Sequence, residues 1–327
     1  MTLSGMFTSL AWSLRLLVWW TVDSLKALLP LSLWPKKKIQ GQLVLITGGG
    51  GGIGRCLATE FGKRGCRLVL WDVNEQKLEE AQRELRGRGF ESSTFRVDVS
   101  KKEDVYENAR LIKKQQGDVD ILVNCAGGIT NYNFLEMVDE AIEGCIGLNL
   151  HAHFYTLHAF LPAMQARNRG HIVAISSYFG FFGSGPFPEY ATTKFGINGM
   201  MESLRLHLAH EKLDGVKTLL ACPAYTTTPI MAGFQCSSWA VPQLSAEYVA
   251  ARVVEAVEAN KPLLITPRGS IFLNFLHQIA PTRVADQLNL MSDEGYKIVD
   301  HFVRLGAFPP RRLAPGGVGG PPTDQAA

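Results

Sequence analysis

The most constraining feature of this chain is a glycine-rich turn at residues 47–54, which directly follows the apolar run 43–46. This order predicts a buried strand, then a turn with almost no side chains, and then a helix. Backbone N–H groups in such a turn can touch a phosphate, and the helix N-terminus adds its positive dipole end. A dinucleotide pyrophosphate suits this geometry, so we predict phosphate contacts at Gly48, Gly52, Ile53 and Gly54.

Strand-like and helix-like segments alternate from residue 42 to about residue 266. The predicted strands are 42–47, 67–71, 93–97, 119–124, 171–176, 217–222 and 262–266, and the clearest helices are 74–88, 102–116 and 190–212. This alternation of strands and helices predicts an α/β fold, a Rossmann-type doubly wound parallel sheet of about seven strands flanked by helices. We assign residues 39–305 to this domain and the Pro/Gly-rich residues 306–327 to a disordered tail.

Residues 1–38 differ from the rest of the chain, since they hold four of the six tryptophans and long apolar stretches interrupted by charges. On a helix, five polar residues, including all three charged ones, fall within about 100° of arc; they are Ser4, Thr8, Arg15, Asp23 and Lys26. Charges at a bilayer centre cost about 2.5 to 3.5 kcal/mol each, which favours a membrane-associated helix that lies in the interface. The three lysines at 36–38 would then mark the point where the chain leaves the membrane. The alternatives are a cleaved signal peptide and a helix packed on the protein's own surface.

Composition restricts the class of protein further. The 327 residues are 46% hydrophobic and 19% charged, which excludes disorder for the bulk of the chain. The formal net charge is only +3 and the basic residues are spread out, so no nucleic-acid partner is predicted. The six cysteines form no Cys-x-x-Cys pair, which predicts buried, reduced thiols and no metal site.

Asp72 ends the second predicted strand, about 20 residues after the glycines. A carboxylate there can accept hydrogen bonds from the ribose hydroxyls of a dinucleotide, and it would repel an additional 2′-phosphate. No lysine or arginine lies among residues 49–51 to offset that repulsion. NAD is therefore favoured over NADP, with an ordinary turn or helix-capping role for Asp72 as the alternative.

Tyr190 and Lys194 stand four residues apart on a predicted helix, so their side chains point the same way. A cation about 5 Å from a phenol, at an effective dielectric near 20, favours the phenolate by about 3 kcal/mol, roughly 2.4 pKa units. We therefore predict that Lys194 lowers the pKa of Tyr190 toward the working pH, as acid–base catalysis requires.

Two more polar residues stand at positions suited to a site. Ser177 follows the predicted strand 171–176, where its hydroxyl could bond a substrate oxygen or only cap a turn. Asn149 lies in an apolar stretch and needs hydrogen-bond partners if buried, whether it is catalytic or a satisfied core residue.

At these positions the chain resembles the short-chain dehydrogenase/reductase family over nearly all of residues 40–266. The turn at 47–54 is similar to the family's cofactor turn, and Asn124-Cys125-Ala126-Gly127 resembles its Asn-Asn-Ala-Gly motif. The family's catalytic tetrad is matched by Asn149, Ser177, Tyr190 and Lys194.

The resemblance implies that Tyr190 exchanges the substrate proton while hydride moves to or from a nicotinamide, and that Ser177 orients the substrate oxygen. It implies that Lys194 lowers the tyrosine pKa and that Asn149 holds a water linking this lysine to solvent. It also implies that Asp98 contacts the adenine and that Thr228 lies near the carboxamide. The cofactor-binding set is then Gly48, Gly52, Ile53, Gly54, Asp72, Asp98, Asn124, Tyr190, Lys194 and Thr228.

The sequence departs from the family pattern at two positions. Cys125 replaces an asparagine, which matters little if this position acts through its backbone. Ala224 replaces the glycine of a Pro-Gly segment flanking the nicotinamide, and alanine resists positive φ. We therefore expect Ala224 to alter the turn beneath the nicotinamide.

Within the family, the apolar N-terminus and the segments 71–74 and 151–154 resemble a membrane-associated branch of retinol and 17β-hydroxysteroid dehydrogenases. This implies a lipophilic retinoid or steroid substrate, and a place on the endoplasmic reticulum or lipid droplets with the catalytic domain facing the cytosol. Homodimers are common in the family. The stretches 179–187 and 225–241 are rich in aromatic residues and methionine, which suits an apolar pocket.

Two alternatives use the same residues. One is a nucleotide-binding scaffold on lipid droplets or endoplasmic reticulum with little catalysis, motivated by Ala224 and the N-terminal segment. The other is a sugar epimerase, since epimerases share the Tyr-x-x-x-Lys spacing but normally space their glycines differently.

Overall fold

The computed structural model describes residues 3–129, 134, 137–228, 242–292, 297 and 304. The predicted tail, 306–327, and most of the predicted aromatic stretch 225–241 lie outside the described residues. An N-terminal helix, α1 (Leu3–Leu28), precedes the alternating strands and helices.

A seven-stranded parallel sheet forms the centre of the domain. Its strands are β1 (Leu43–Thr47), β2 (Arg67–Asp72), β3 (Ser92–Arg96), β4 (Ile121–Asn124), β5 (Gly170–Ile175), β6 (Val216–Pro223) and β9 (Leu263–Thr266), in the spatial order β3-β2-β1-β4-β5-β6-β9. Two short strands, β7 (Thr226–Thr227) and β8 (Leu244–Ser245), pair separately. The prediction of a doubly wound α/β sheet is confirmed, and the order reverses between β1 and β4, where such folds bind ligands.

Helices cover both faces of the sheet. Successive strand residues point to opposite faces, so the apolar strands feed two separate cores. One core packs against α2 (Gly52–Lys63), α3 (Glu75–Gly87) and α8 (Ala246–Glu258). The other core packs against α4 (Lys102–Gln116), α6 (Ala152–Ala166) and α7 (Pro188–His210).

The remaining elements are shorter. Helix α5 (Asp139–Ile146) runs through a π-helical turn at Gly147–His151 into α6. After the sheet come α9 (Ser270–Ile279) and α10 (Thr282–Ser292), which are separated at Pro281.

Helix α1 carries exposed tryptophans and leucines on its described side chains. Among the described residues, no helix combines the length and apolar character required to cross a bilayer. The segment after α1 packs on the domain, since Leu31 is buried and the Lys37 N–H donates to the Glu258 carbonyl at 2.8 Å. Part of residues 1–38 therefore contacts the Rossmann domain directly.

Candidate active site

The glycine turn connects β1 to α2 at the point where the strand order reverses. Gly48 has φ +67°, which an L side chain rarely adopts, and a Cβ on it would lie 2.9 Å from the Ala126 Cα. A Cβ on Gly54 would overlap the Gly48 carbonyl oxygen. The helix cap, Gly51, supplies no side-chain bond, so the first amides of α2 stay available to an anion. These features fit a pyrophosphate held by the turn.

Thr47 joins this turn to the neighbouring strand. Its buried Oγ1 accepts hydrogen bonds from the N–H groups of Cys125 at 3.0 Å and Ala126 at 3.1 Å. Asn124, just before them, is buried and its Oδ1 accepts from the Thr156 hydroxyl at 2.9 Å. Cys125 accordingly enters these contacts through its backbone, as expected for this departure from the family motif. Thr47 was not among the predicted site residues, although its place between strand and turn is a usable signal.

Asp72 lies beside the turn, at the carboxyl end of β2. Its Oδ2 accepts from the Gly50 N–H at 3.1 Å and its Oδ1 from the Asn74 N–H at 3.0 Å. Lys77 also lies close, since a Cβ on Gly50 would come 2.9 Å from the Lys77 Cβ. The sequence search for a cation covered only residues 49–51 and missed this one, which is brought in from α3.

Asp98 and Thr228 are the outer members of the predicted cofactor set. Asp98 accepts from the Ser100 hydroxyl at 2.6 Å and lies 3.4 Å from the Lys101 ammonium. These hydrogen bonds hold the pKa of Asp98 below its usual value despite partial burial. Thr228 follows β7 and is half-buried at the end of a described segment, with residues 229–241 beyond it outside the described residues.

Tyr190, Lys194 and Ser177 are brought together. The Lys194 Nζ lies 5.2 Å from the centre of the Tyr190 ring and donates to the Ile175 carbonyl at 3.1 Å. Ser177 hydrogen-bonds the Tyr190 phenol, and its Oγ also accepts from the Phe179 N–H at 3.2 Å, so it caps a turn as well. Helix α7 places the tyrosine and the lysine one turn apart against the end of β5, as their spacing predicted.

The direction of the tyrosine pKa differs from the prediction. Burial raises the pKa of Tyr190 to about 12, with the Ser177 hydrogen bond opposing the rise in part. Burial also lowers the pKa of Lys194 from 10.5 to about 8. The sequence argument counted the attraction between the two groups and left out the cost of removing both from water, which is the larger effect.

Asn149 lies in the π-helical turn and is completely buried. Its Oδ1 accepts from the Gly128 N–H at 2.8 Å, and its Nδ2 donates to the Gly128 carbonyl at 2.9 Å and the Thr193 Oγ1 at 3.2 Å. The Asn149 side chain therefore connects the loop after β4 with the helix that carries Tyr190 and Lys194 through hydrogen bonds. Gly128 and Thr193 were not predicted, because no local pattern marks a partner more than twenty residues away.

Ala224 lies at the end of β6 without a left-handed backbone conformation. It is absent from the non-glycine residues with positive φ in the described chain, which are Asn168, Lys212 and Asn260. Its N–H donates to the Thr266 carbonyl at 2.8 Å, and its side chain is buried. The alanine is thus accommodated without a left-handed conformation, and the expectation that it alters the turn relative to glycine stays a prediction.

An aromatic cluster packs beside the ring of Tyr190. The Phe179 ring packs edge-on against Tyr190 at 6.3 Å and against Tyr225 at 6.0 Å, and Phe187 lies 6.3 Å away. These rings were predicted as candidate lining of an apolar pocket. The structure places this part of the cluster beside the phenol.

The arrangement corresponds to a nucleotide-dependent oxidoreductase of the doubly wound α/β class, because a phosphate-binding turn and a hydrogen-bonded Ser–Tyr pair meet at the sheet's switch point. More specifically, the chain belongs to the short-chain dehydrogenase family, whose model matches residues 42–236. The resemblance drawn from the motifs is confirmed, and the protein is a short-chain dehydrogenase/reductase.

Curated relatives cover most of the chain. Epidermal retinol dehydrogenase 2 of Homo sapiens is 38% identical over 272 residues, 81% of this chain and 87% of the relative. Retinol dehydrogenase 10 of Homo sapiens is 36% identical over 276 residues, 76% of this chain and 81% of the relative.

Solved structures share the fold. LigD in its apo form, from Sphingobium sp. strain SYK-6, superposes with a TM-score of 0.62 at 28% identity, covering 74% of this chain and 99% of that one. The structure of gox2181 gives a TM-score of 0.63 at 24% identity, covering 71% of this chain and 97% of that one, and this likeness concerns the fold alone.

Proposed function

We propose that the protein interconverts a lipophilic alcohol, a retinoid or a steroid, and its carbonyl, with Tyr190 as the acid–base group. The observation that carries this proposal is the Tyr190 phenol, hydrogen-bonded to Ser177 and set 5.2 Å from the Lys194 ammonium at the switch point. The similarity to proteins named retinol dehydrogenases favours a retinoid. The aromatic side chains around Phe179 suit such an apolar molecule.

Each residue has a role that follows from its position. Tyr190 holds a proton at its phenol oxygen, which its raised pKa of about 12 keeps in place at neutral pH for donation to a carbonyl. Ser177 orients the substrate oxygen beside this phenol, and Lys194 supplies the positive charge that favours the phenolate during alcohol oxidation. Asn149 positions the helix through its contacts with Gly128 and Thr193. The glycine turn would hold a nicotinamide dinucleotide, which would supply the hydride chemistry when bound.

The mechanism is tested by replacing Tyr190 with phenylalanine, which removes the proton and keeps the ring. Turnover of retinol by the purified full-length protein with NAD should fall by about 10² to 10⁴-fold, the usual contribution of general acid–base catalysis. Nucleotide binding, followed by fluorescence titration, should change little. The matched control is Tyr248→Phe on the exposed surface of α8. Equal turnover in Tyr190→Phe and wild type would overturn the proposed role.

The proposed cofactor preference is NAD. Asp72 stands where a ribose would meet the turn, and its carboxylate disfavours a 2′-phosphate. The Lys77 side chain starts beside the turn, so we expect its ammonium group to offset part of that repulsion and the preference to be moderate. We expect Asp72→Ala to weaken NAD binding about tenfold and to improve NADP binding, whereas Lys77→Ala should weaken NADP alone. The control for net charge is Glu79→Ala, which removes an exposed carboxylate from α3. Tighter binding of NADP than of NAD to the wild type would contradict this assignment.

We also propose a membrane-associated location, on the endoplasmic reticulum or a lipid droplet with the domain in the cytosol. Trp12, Trp19 and Trp20 are exposed on α1, and the basic residues 36–38 follow it. Fractionation of cells that express the full chain, with and without residues 1–28, tests this location. The homodimer and the scaffold alternative both stay predictions.

A further inference from the structure

Helix α6 carries a buried histidine whose ring makes no hydrogen bond to the protein. His153 is 2% exposed, and neither its Nδ1 nor its Nε2 has a hydrogen-bond partner in the described part of the chain. A neutral imidazole has one N–H donor and one acceptor nitrogen, and both are costly to leave unpaired in a protein interior. Buried polar groups that lack a protein partner are normally paired with ordered water. The ring of His153 therefore requires a small polar ligand.

The positive charge of Lys194 acts on this ring. Burial and the charge of Lys194 lower the pKa of His153 to about 3, so the imidazole is neutral at working pH. The ammonium donates to the Ile175 carbonyl at 3.1 Å, its one acceptor among the described residues, although an ammonium has three N–H donors. The ring and the ammonium thus influence each other electrostatically but lie too far apart for a direct hydrogen bond.

A second unpaired polar group lies beside the first turns of α6. Asn124 is 3% exposed, and its Oδ1 accepts from the Thr156 hydroxyl at 2.9 Å. Its Nδ2 has no hydrogen-bond partner among the residues that the structure describes. The Thr156 hydroxyl also lies 3.0 Å from the His153 carbonyl, and both residues are on the buried face of α6. The free end of the Asn124 amide is therefore close to the turn that carries His153.

The register of the sheet brings the ammonium to the same place. Asn124 on β4 pairs with Ala174 on β5, and the carbonyl that binds Lys194 belongs to the next residue, Ile175. A Cβ placed on Gly127, in the loop after β4, would lie 3.7 Å from the Lys194 Nζ. Polar groups from β4, α6 and α7 thus meet at the carboxyl end of the sheet. A buried water is stable where it has about two to four such partners.

We infer that His153 is a positioning residue of the reaction site and acts through an ordered water. This water accepts hydrogen bonds from the Lys194 ammonium and the Asn124 amide, donates one to the acceptor nitrogen of His153, and so stabilises the charged lysine. His153 is additional to Asn149, the residue to which the family resemblance assigns a water. The water site itself depends on burial and hydrogen-bond pairing, whereas its effect on turnover rests on the proposed function.

The water site is tested by a crystal structure of the full-length protein at a resolution that shows ordered solvent. We expect a water within about 3.2 Å of a His153 ring nitrogen and of the Lys194 Nζ or the Asn124 Nδ2. The structure of the His153→Leu variant should lack this water. A direct hydrogen bond from the protein to the ring, or a ring with no water beside it, would overturn the inference. None of these observations depends on turnover.

The effect on Lys194 is tested by the pH dependence of kcat/KM for the reduction of retinal with NADH. Besides His153, the titratable groups that act on Lys194 or stand beside it are Tyr190 on α7, Cys145 on α5, Cys125 after β4 and Cys222 on β6. Burial raises the pKa of each of these four to about 11 or 12. Lys194, whose pKa is about 8, is therefore the group of this set that titrates between pH 7 and pH 10.

His153→Leu should lower the pH at which kcat/KM decreases by about one unit, because the ammonium loses one hydrogen-bonded water. His153→Gln keeps a donor and an acceptor and should restore the wild-type profile. The control is His158→Leu, on the exposed side of the same helix, which should leave the profile unchanged. Identical profiles for His153→Leu and wild type would refute the positioning role. Absence of retinal turnover in the wild type would refute the proposed function instead, while the crystal structure would still decide the water site.

Discussion

Replacing Lys194 with methionine should make the protein more stable at neutral pH, or at worst leave its stability unchanged, while removing its activity. Lys194 is only 4% exposed, and burial lowers its pKa from 10.5 to about 8. Such a depression means that holding the charged lysine in the folded protein costs about 3 kcal/mol at pH 7. Methionine has similar length and no charge, so this cost disappears.

The gain is reduced by one lost hydrogen bond. The Lys194 ammonium donates to the Ile175 carbonyl at 3.1 Å, and an unpaired buried carbonyl costs about 1 to 3 kcal/mol. The net change in the free energy of unfolding at pH 7 should therefore lie between about zero and 2 kcal/mol in favour of the variant.

The pH dependence of this stability difference is the more specific test, because the cost of leaving the Ile175 carbonyl unpaired does not change with pH. The unfolded lysine binds its proton up to pH 10.5 and the folded one only up to about 8, so the cost is full below pH 8. This cost then decreases as the pH rises toward 10.5, and the wild-type protein becomes correspondingly more stable over this interval. The advantage of Lys194→Met over wild type should shrink by about 2 kcal/mol between pH 7 and pH 10.

Urea unfolding followed by tryptophan fluorescence at several pH values measures this difference. Lys114→Met, on the exposed side of α4, is the control and should show no such trend. An advantage of Lys194→Met that stays constant from pH 7 to pH 10 would refute the assignment of a destabilising buried charge. If Lys194→Met is at least as stable as wild type and keeps its turnover, the role of this lysine in the proposed reaction is refuted.

Two further substitutions test the scaffold of the site. Gly54→Ala should displace the turn, because its Cβ overlaps the Gly48 carbonyl, and should weaken NAD binding at least about tenfold in a fluorescence titration. Gly87→Ala, where a Cβ meets nothing within 4 Å, should bind NAD normally, and equal binding by both variants would contradict this account. Asn149→Ala should cost about 1 to 3 kcal/mol of unfolding free energy, because it leaves the half-buried N–H and carbonyl groups of Gly128 without their partner. If Asn149→Ala loses no more unfolding free energy than the control Asn108→Ala, near the surface, then the hydrogen bonds between Asn149 and Gly128 do not stabilise the site.

Much of the fold could be read from local patterns. The apolar strands, the helical periods and the glycine turn all depend on residues close together in sequence, where sterics and hydrophobic period act directly. The pairing of Tyr190 with Lys194 belongs to the same category, because four residues on a helix fix a distance. The position of Ser177 at the end of β5 followed from the strand pattern in the same way.

Other features of the site needed the assembled structure. Asn149 finds its partner in Gly128, on a loop after a different strand, and Lys77 reaches the glycine turn from the next helix. Ala224 could not be judged by analogy, because whether a turn needs positive φ depends on the path of the backbone around it.

What the sequence determined by itself was the parallel α/β sheet, its nucleotide turn and the membership of the family, since each is encoded by short-range spacing. Only the tertiary structure decided the direction of the pKa shift of Tyr190 and the exposure of apolar side chains on α9. Burial reversed the expected pKa shift of Tyr190, and packing turned an apolar helix face outward. Both effects depend on which groups are removed from water, and that is a property of the whole fold rather than of any local segment.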